Sequence, residues 1–249
     1  MNRELKEKFL RLWNKHFYGA DLPVTFYYTD KEDTALLSKA EHCLIPNLMQ
    51  VTAGTSLRFD VHSIGCPGGK KYLGFDDTIR PEFEYFLSYG IPGKMEGERY
   101  KKSPELVKEI MKSMPKFKAP KKFIVFKRWD MLEDREKPEV VIFFAPPDVL
   151  SGLFTLASFD EAEFNSVIAP FSAGCASIVQ YPYLEKLSPH PRCVIGMFDV
   201  SSRPFLSPNI LSFSMPINKF TTMIENMEES FLITHSWNKI KERIALKEV

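Results

Sequence analysis

The sequence lacks a long run of apolar residues. No window approaches the roughly 20 consecutive apolar residues that a helix needs to cross a bilayer. The N-terminal stretch MNRELKEKFLRLWNKHF mixes charged and apolar residues, whereas a secretory signal places a positive tip before an apolar core. We therefore expect a soluble cytoplasmic protein without a membrane partner.

An excess of charge of one sign is also lacking. The chain has 33 Lys and Arg against 32 Asp and Glu, and neither half concentrates one sign as a polyanion-binding surface would. Nucleic acid is therefore not expected as a partner. With 249 residues, of which 44% are apolar, the chain can bury a substantial core. The sequence does not indicate an oligomeric state.

Cysteine is scarce and its spacing excludes several familiar sites. The four cysteines are Cys43, Cys66, Cys175 and Cys193, and in the cytoplasm they should be reduced. No pair has the Cys-x2-Cys spacing of a zinc ribbon or a ferredoxin. A nucleotide-binding P-loop is excluded because Lys71 stands where Ser or Thr should follow Gly69-Lys70. A Gly-x-Ser-x-Gly hydrolase elbow is also missing.

The pattern of apolar residues predicts a single α+β domain over residues 1–249. Strands are predicted in LPVTFYYTD, KFIVFKRWDML and PEVVIFFAPPDVL, since these are rich in aromatic and β-branched residues. Helices and strands intermix without a strict βαβ order, which favours a mixed or mainly antiparallel sheet packed with helices. If the domain has two lobes, their seam is expected near residues 91–103.

Two helices are predicted at or near cysteines, one that carries Cys43 and one that precedes Cys175. The first runs from about Thr34 to Ala53 and carries His42 and Cys43, although Pro46 predicts a kink or a late start. The second covers SFDEAEFNSVIAP, capped by Ser158 or Asp160.

The stretch HSIGCPGGKK has the composition of a binding site. Its bend can direct several backbone N–H groups to one point while the sulfur of Cys66 stays accessible. The candidate ligand-binding residues are Gly65, Gly68, Gly69 and Lys70. The alternative is that Cys66 is a small buried apolar residue and Gly68-Gly69 only a turn.

The segment HCLIPNLMQVTAGTSLRFDVHSIGCPGGKKYLGF resembles the signature of an uncharacterised prokaryotic family, domain of unknown function 169 (ArCR). The resemblance continues through FIVFKRWDML, VVIFFAPPDVLSGL and SAGC, from about Val24 to Pro216. The matching positions are Cys43, Cys66 and Cys175, with Gly65, Gly69 and Gly74 as backbone supports; Cys193 has no counterpart. Ala-Ser follows Cys175 where the family pattern has Gly-Arg, which puts an anion-binding role for that turn in doubt.

The resemblance implies that three cysteines from separate segments converge on one site, but it brings no established activity. Such a set, completed by His42 or His62, would suit an iron–sulfur cluster or another soft metal in a redox role. A nucleophilic Cys66 with a histidine base is a second possibility. The candidate metal ligands are Cys43, Cys66, Cys175 and His62.

Two hypotheses without metal chemistry remain open. In one, the protein is a non-catalytic small-molecule binding module: the aromatic residues of TFYY and VIFFAPP line an apolar cleft, and the glycine loop holds an anionic group. In the other, the cysteines are simply buried in a scaffold. A small molecule or a redox partner is therefore the expected kind of partner, and whether the protein is an enzyme stays open.

Overall fold

The computed structural model describes residues 3–32 and 35–246. The strands, in chain order, are β1 (Val24–Thr29), β2 (Leu36–Leu37), β3 (Leu57–Phe59), β4 (Gly90–Ile91), β5 (Met95–Glu96), β6 (Phe123–Arg128), β7 (Val140–Ala145), β8 (Val167–Ile168), β9 (Cys193–Gly196) and β10 (Leu211–Pro216). The helices are α1 (Arg3–His16), α2 (Ile45–Thr52), α3 (Pro67–Tyr72), α4 (Phe83–Phe86), α5 (Pro104–Ser113), α6 (Pro147–Ala157), α7 (Tyr181–Glu185), α8 (Ile217–Asn226) and α9 (His235–Ala245).

Eight of the strands form one mixed sheet in the order β2-β3-β6-β1-β7-β10-β9-β8, and β4 pairs with β5 in a separate hairpin. The inner pairs are antiparallel, as in β1 with β6 and β7 with β10. The two outermost pairs, β2 with β3 and β8 with β9, are parallel. The predicted α+β class is therefore confirmed.

Each face of the sheet has its own apolar core, because side chains alternate between the faces along a strand. In β1, Tyr27 packs with the core that includes residues of α1, α6, α8 and α9. Its neighbours Phe26 and Tyr28 point to the opposite core, which includes residues of α2 and of the segment that begins after Cys175. The second core is the one that supports the candidate site.

The helix predicted from about Thr34 to Ala53 is wrong over most of its first half. Thr34 lies outside the described residues, β2 occupies Leu36–Leu37, and the helix itself begins at Ile45 with Pro46 in its first turn. Proline is well placed there because the N–H that it lacks would have had no partner within the helix. Cys43 therefore lies in a loop just ahead of α2.

The helix predicted for SFDEAEFNSVIAP is also wrong. Residues 158–166 are turns and bends, followed by β8. A helix forms earlier instead, where Pro147 occupies the first turn of α6 and Ser158 follows its last residue. The strand predicted for PEVVIFFAPPDVL included Pro147–Leu150, which form the start of α6.

In the part of the chain that the structure describes, no helix has both the length and the apolar character needed to span a membrane.

Candidate functional site

Two loop segments run side by side and bring Cys43 and Cys66 to the same region. Ala40 and Ile64 form a parallel bridge, and the Gly65 N–H donates to the Ala40 carbonyl at 2.7 Å. A Cβ on residue 65 would lie 2.1 Å from the Glu41 carbonyl oxygen. Only glycine therefore allows the segments to approach so closely.

The glycine loop after Cys66 forms the first turn of α3. Cys66 is the N-cap residue, and its Sγ accepts a hydrogen bond from the Gly69 N–H at 3.4 Å. The Lys70 N–H donates to the Cys66 carbonyl at 3.0 Å. Together with the Gly65 N–H, these amide groups are bonded within the protein, so the loop does not present them to an anion.

Cys175 precedes a π-helical turn, Ala176–Gln180, that continues into α7. The Tyr181 N–H donates to the Ala176 carbonyl, five residues earlier. With the same five-residue spacing, the N–H of residue 182 would donate to the Ser177 carbonyl, but residue 182 is proline and has no N–H. The Ser214 hydroxyl replaces it by donating to the Ser177 carbonyl at 2.9 Å. Such π turns occur frequently at functional sites.

Asp199 ties the residue before Cys175 to the loop after β9. Its carboxylate accepts hydrogen bonds from the Gly174 N–H at 3.2 Å, the Ser202 hydroxyl at 3.0 Å and the Ser201 N–H at 3.1 Å. Asp199 is not among the site residues predicted from the sequence. The Asp-x-Ser-Ser spacing of a side-chain-capped turn was its only local signal.

The three thiols of Cys43, Cys66 and Cys175, here called the thiol cluster, influence one another electrostatically. Burial raises the pKa of Cys175 well above its ordinary value, and the charges of Cys43, Cys66 and Asp199 raise it further. Burial also raises the pKa of Cys43, with smaller contributions from Cys66 and Asp199. Each ionised group therefore makes it harder to remove a proton from Cys43 or Cys175.

The charged groups that act on Cys43 and Cys175 are all anionic when ionised. The same holds for the phenol of Tyr72: burial raises its pKa to about 12, and Tyr181, Cys175, Asp199 and Cys66 add to the effect. A thiolate is stabilised by nearby positive charge, and none acts on these groups. At neutral pH Cys43 and Cys175 are therefore thiols.

The other residues expected at a metal site lie outside the thiol cluster. His62 is exposed, and its backbone N–H donates to the Asp60 carboxylate at 3.0 Å. His42 is exposed as well. Within residues 3–32 and 35–246, no group of three or more His, Cys, Asp or Glu side chains is close enough to hold a metal ion. Cys193 is fully buried in the opposite core.

A cleft of about 640 Å³ opens beside the thiol cluster. One wall comes from α3, including Cys66, Gly68 and Tyr72. A second wall comes from residues 78–115, here called the cap, which carry α4, the β4–β5 hairpin and α5. The loops 169–173 and 196–201 complete the enclosure.

The cleft is largely aromatic, but not with the residues that the sequence suggested. Phe26 of TFYY and Phe143 of VIFFAPP lie in the two cores. The rings of the cleft are instead Tyr72, Phe83, Phe86, Tyr100, Phe171, Tyr181 and Phe198. These rings were not predicted from the sequence because they come from separate regions of the chain, each with an ordinary composition.

Met197 at the edge of the cleft has a strained backbone. It adopts φ 66° although it is not glycine, and it is 1% exposed. Residues with side chains pay a free-energy cost in this region of conformational space, and such strain is concentrated at binding and active sites. The loop that carries Phe198 and Asp199 into the cleft therefore starts from a backbone held in place by its surroundings.

Comparison with protein families identifies the chain as a member of the family described as "Uncharacterised ArCR", domain of unknown function 169, whose pattern matches residues 20–226. The resemblance seen in the sequence is thereby confirmed. Comparison with curated proteins and with solved structures gave no match.

Proposed function

We propose that this protein binds a small organic molecule in the cleft between α3, the cap and the loops 169–173 and 196–201. The observation that carries the proposal is the cleft itself, whose volume of about 640 Å³ lies within the range of about 300–1,000 Å³ typical of ligand pockets. Its aromatic walls favour a ligand with an apolar body.

A few polar groups among the aromatic rings would orient the ligand. Tyr100 hydrogen-bonds to Glu98 and to Ser201, which joins the cap to the loop after β9. Cys66 is a further polar group of the cleft, in the wall that contains α3. Binding sites combine mostly apolar walls with a few placed polar groups in this way.

The neutral dye Nile red tests the proposal, because its fluorescence increases when it leaves water for an apolar pocket. We expect saturable binding to the wild-type protein. Gly68→Trp places an indole ring in the wall of the cleft and should abolish that binding. Gly68→Ala is the matched control, since its Cβ would meet only Tyr72 and Cys66 at 3.6 and 3.7 Å. Equal dye binding by both variants would contradict the proposal.

A soft metal bound by the thiol cluster is a second candidate, favoured by the convergence of three thiols from distant segments. Three cysteine sulfurs with Asp199 nearby form a donor set that suits a thiophilic cation or a cluster with an open coordination position. Bound there, a cation would supply the positive charge that the surrounding side chains lack.

The arrangement of these donors is not that of a preformed metal site. As stated above, no three potential ligands in the described residues are within coordinating distance, so the side chains would have to approach one another. Burial also keeps Cys43 and Cys175 protonated. Metal binding would therefore release protons and strengthen as the pH rises.

Cadmium titration under anaerobic conditions tests this second candidate. Thiolate-to-cadmium absorption should appear in the wild-type protein and increase between pH 7 and pH 9. Cys66→Ser and Cys175→Ser should remove it, whereas Cys193→Ala, in the opposite core, should retain it. Identical titrations of all these variants, or no absorption in the wild type, would rule out the thiol cluster as a metal site.

A further inference from the structure

We propose that the ligand of the cleft is an organic cation, an amine or quaternary ammonium group attached to an apolar body. This inference rests on the proposed function and specifies its substrate class. It depends on three kinds of group that line the cleft: the carboxylates, the cations and the aromatic rings.

Two carboxylates line the cleft without a cationic partner. Glu98 and Asp199 both belong to its wall, and neither takes part in an ion pair among the residues that the structure describes. The donors that the structure gives Asp199 are backbone N–H groups and serine hydroxyls. Neutral donors stabilise the carboxylate without cancelling its charge.

The cations of the cleft wall are already engaged. Lys71 is buried and its Nζ contacts the Asp77 carboxylate at 2.7 Å and the Asp77 carbonyl at 3.2 Å. The Arg80 guanidinium lies 4.0 Å from the centre of the Phe86 ring and donates to Met95 Sδ at 3.6 Å. Among the described residues that line the cleft, the two carboxylates therefore outnumber Arg80, the one cation outside an ion pair.

The aromatic rings of the cleft already accept cations from the protein itself. Besides Arg80 over Phe86, the Lys101 Nζ lies 3.7 Å from the centre of the Phe171 ring. Cation–π contacts of this kind are how proteins recognise quaternary ammonium groups. Further rings, Tyr72, Tyr100 and Phe198, line the same space.

The contrary hypothesis, an anionic ligand, has less support. Three of the amide N–H groups that would hold an anion, those of Gly65, Gly69 and Lys70, are bonded to Ala40 and Cys66. The Asp199 carboxylate would repel a negative group at that end of the cleft. These contacts disfavour a phosphate or a carboxylate in the position that the sequence suggested.

Displacement of bound Nile red by three matched compounds tests the inference. Benzyltrimethylammonium is the cation, neopentylbenzene its neutral carbon isostere, and phenylmethanesulfonate the anion. At about 0.15 M salt, where long-range attraction is screened, we expect the ammonium compound to act at a concentration about tenfold lower than the sulfonate. It should also act at a lower concentration than the hydrocarbon.

The variant Glu98→Gln should reduce that preference about threefold, because it removes one charge from the wall. Glu96→Gln is the matched control: it removes one exposed charge two residues earlier in the chain, outside the cleft. Equal or better displacement by the sulfonate or the hydrocarbon would overturn the inference and leave the cleft as a binding site. Failure of all three compounds to displace the dye would also overturn it, whereas failure of the dye itself to bind would overturn the proposed function.

Discussion

Replacing Gly196 by alanine tests the close approach between strand β9 and the π-helical turn. A Cβ at position 196 would lie 2.2 Å from Ser177 Oγ, 2.3 Å from Ser177 Cβ and 3.0 Å from Ser212 Oγ. The two contacts with Ser177 are too short for any side-chain rotation to relieve, since one of them involves its Cβ. The π-helical turn must therefore move away from the sheet.

Forcing an extra carbon into a well-packed interior costs about 1–3 kcal/mol. With a urea m-value of about 3 kcal/mol/M for a chain of this size, a loss of about 2 kcal/mol lowers the unfolding midpoint by about 0.7 M. Unfolding can be followed by the fluorescence of Trp13, Trp129 and Trp237, which are all buried. Nile red binding should weaken too, because Gly196 and Ser177 both line the cleft.

A double-mutant cycle identifies the contact responsible. Ser177→Gly removes the two closest atoms and leaves only Ser212 Oγ at 3.0 Å, so Gly196→Ala should cost less in that background than in the wild type. Gly68→Ala serves as the control, since its methyl group meets nothing closer than 3.6 Å. If Gly196→Ala changed stability by less than about 0.5 kcal/mol, or if the two substitutions were additive, the packing argument would be wrong.

Three further predictions concern other parts of the molecule. Glu136→Ala should cost about 3–5 kcal/mol in urea unfolding, because it removes the carboxylate 2.6 Å from the buried Lys127 Nζ and leaves it the exposed Glu133 at 3.9 Å; Glu133→Ala, which removes only that longer contact, should cost less than about 0.5 kcal/mol. Burial raises the pKa of Cys193 to about 12, above about 8.5 in the unfolded chain. The unfolded state therefore loses this proton first, stability falls as the pH rises above about 8.5, and Cys193→Ala should make that fall shallower; an unchanged slope would contradict the assignment. Gly65→Ala, whose Cβ would meet a carbonyl oxygen at 2.1 Å, should separate the two cysteine loops and speed thiol labelling of Cys43, and unchanged labelling would count against their pairing.

The sheet was predictable where local chemistry and burial agree. The segment containing β1 combines aromatic and β-branched residues, and both of its faces are buried in the structure, at Tyr27 as well as at Phe26. The helix predicted from about Thr34 begins only at Ile45, which is the late start that Pro46 also predicted, since proline allows a helix to begin but not to pass through it.

The candidate site was predictable only in part. Its cysteines can be recognised in the sequence by residue type, but no residue type identifies the cleft. The family pattern pointed to Cys43, Cys66 and Cys175, of which Cys66 lines the cleft. The cleft depends on Phe171 and Phe198, whose placement follows from the path of loops far apart in the sequence. Whether the cysteines bind a metal, and whether the glycine loop contacts a ligand, stay predictions.

The cleft and the core that contains α1, α6, α8 and α9 lie on different sides of the sheet. The core that contains Phe9, Phe143 and Trp237 contributes none of its residues to the cleft, as far as the described residues show. Substitutions that improve packing there could raise the thermal tolerance of the protein while its ligand preference stays the same. That face is the one from which to anchor the molecule to a sensor surface or to fuse a reporter.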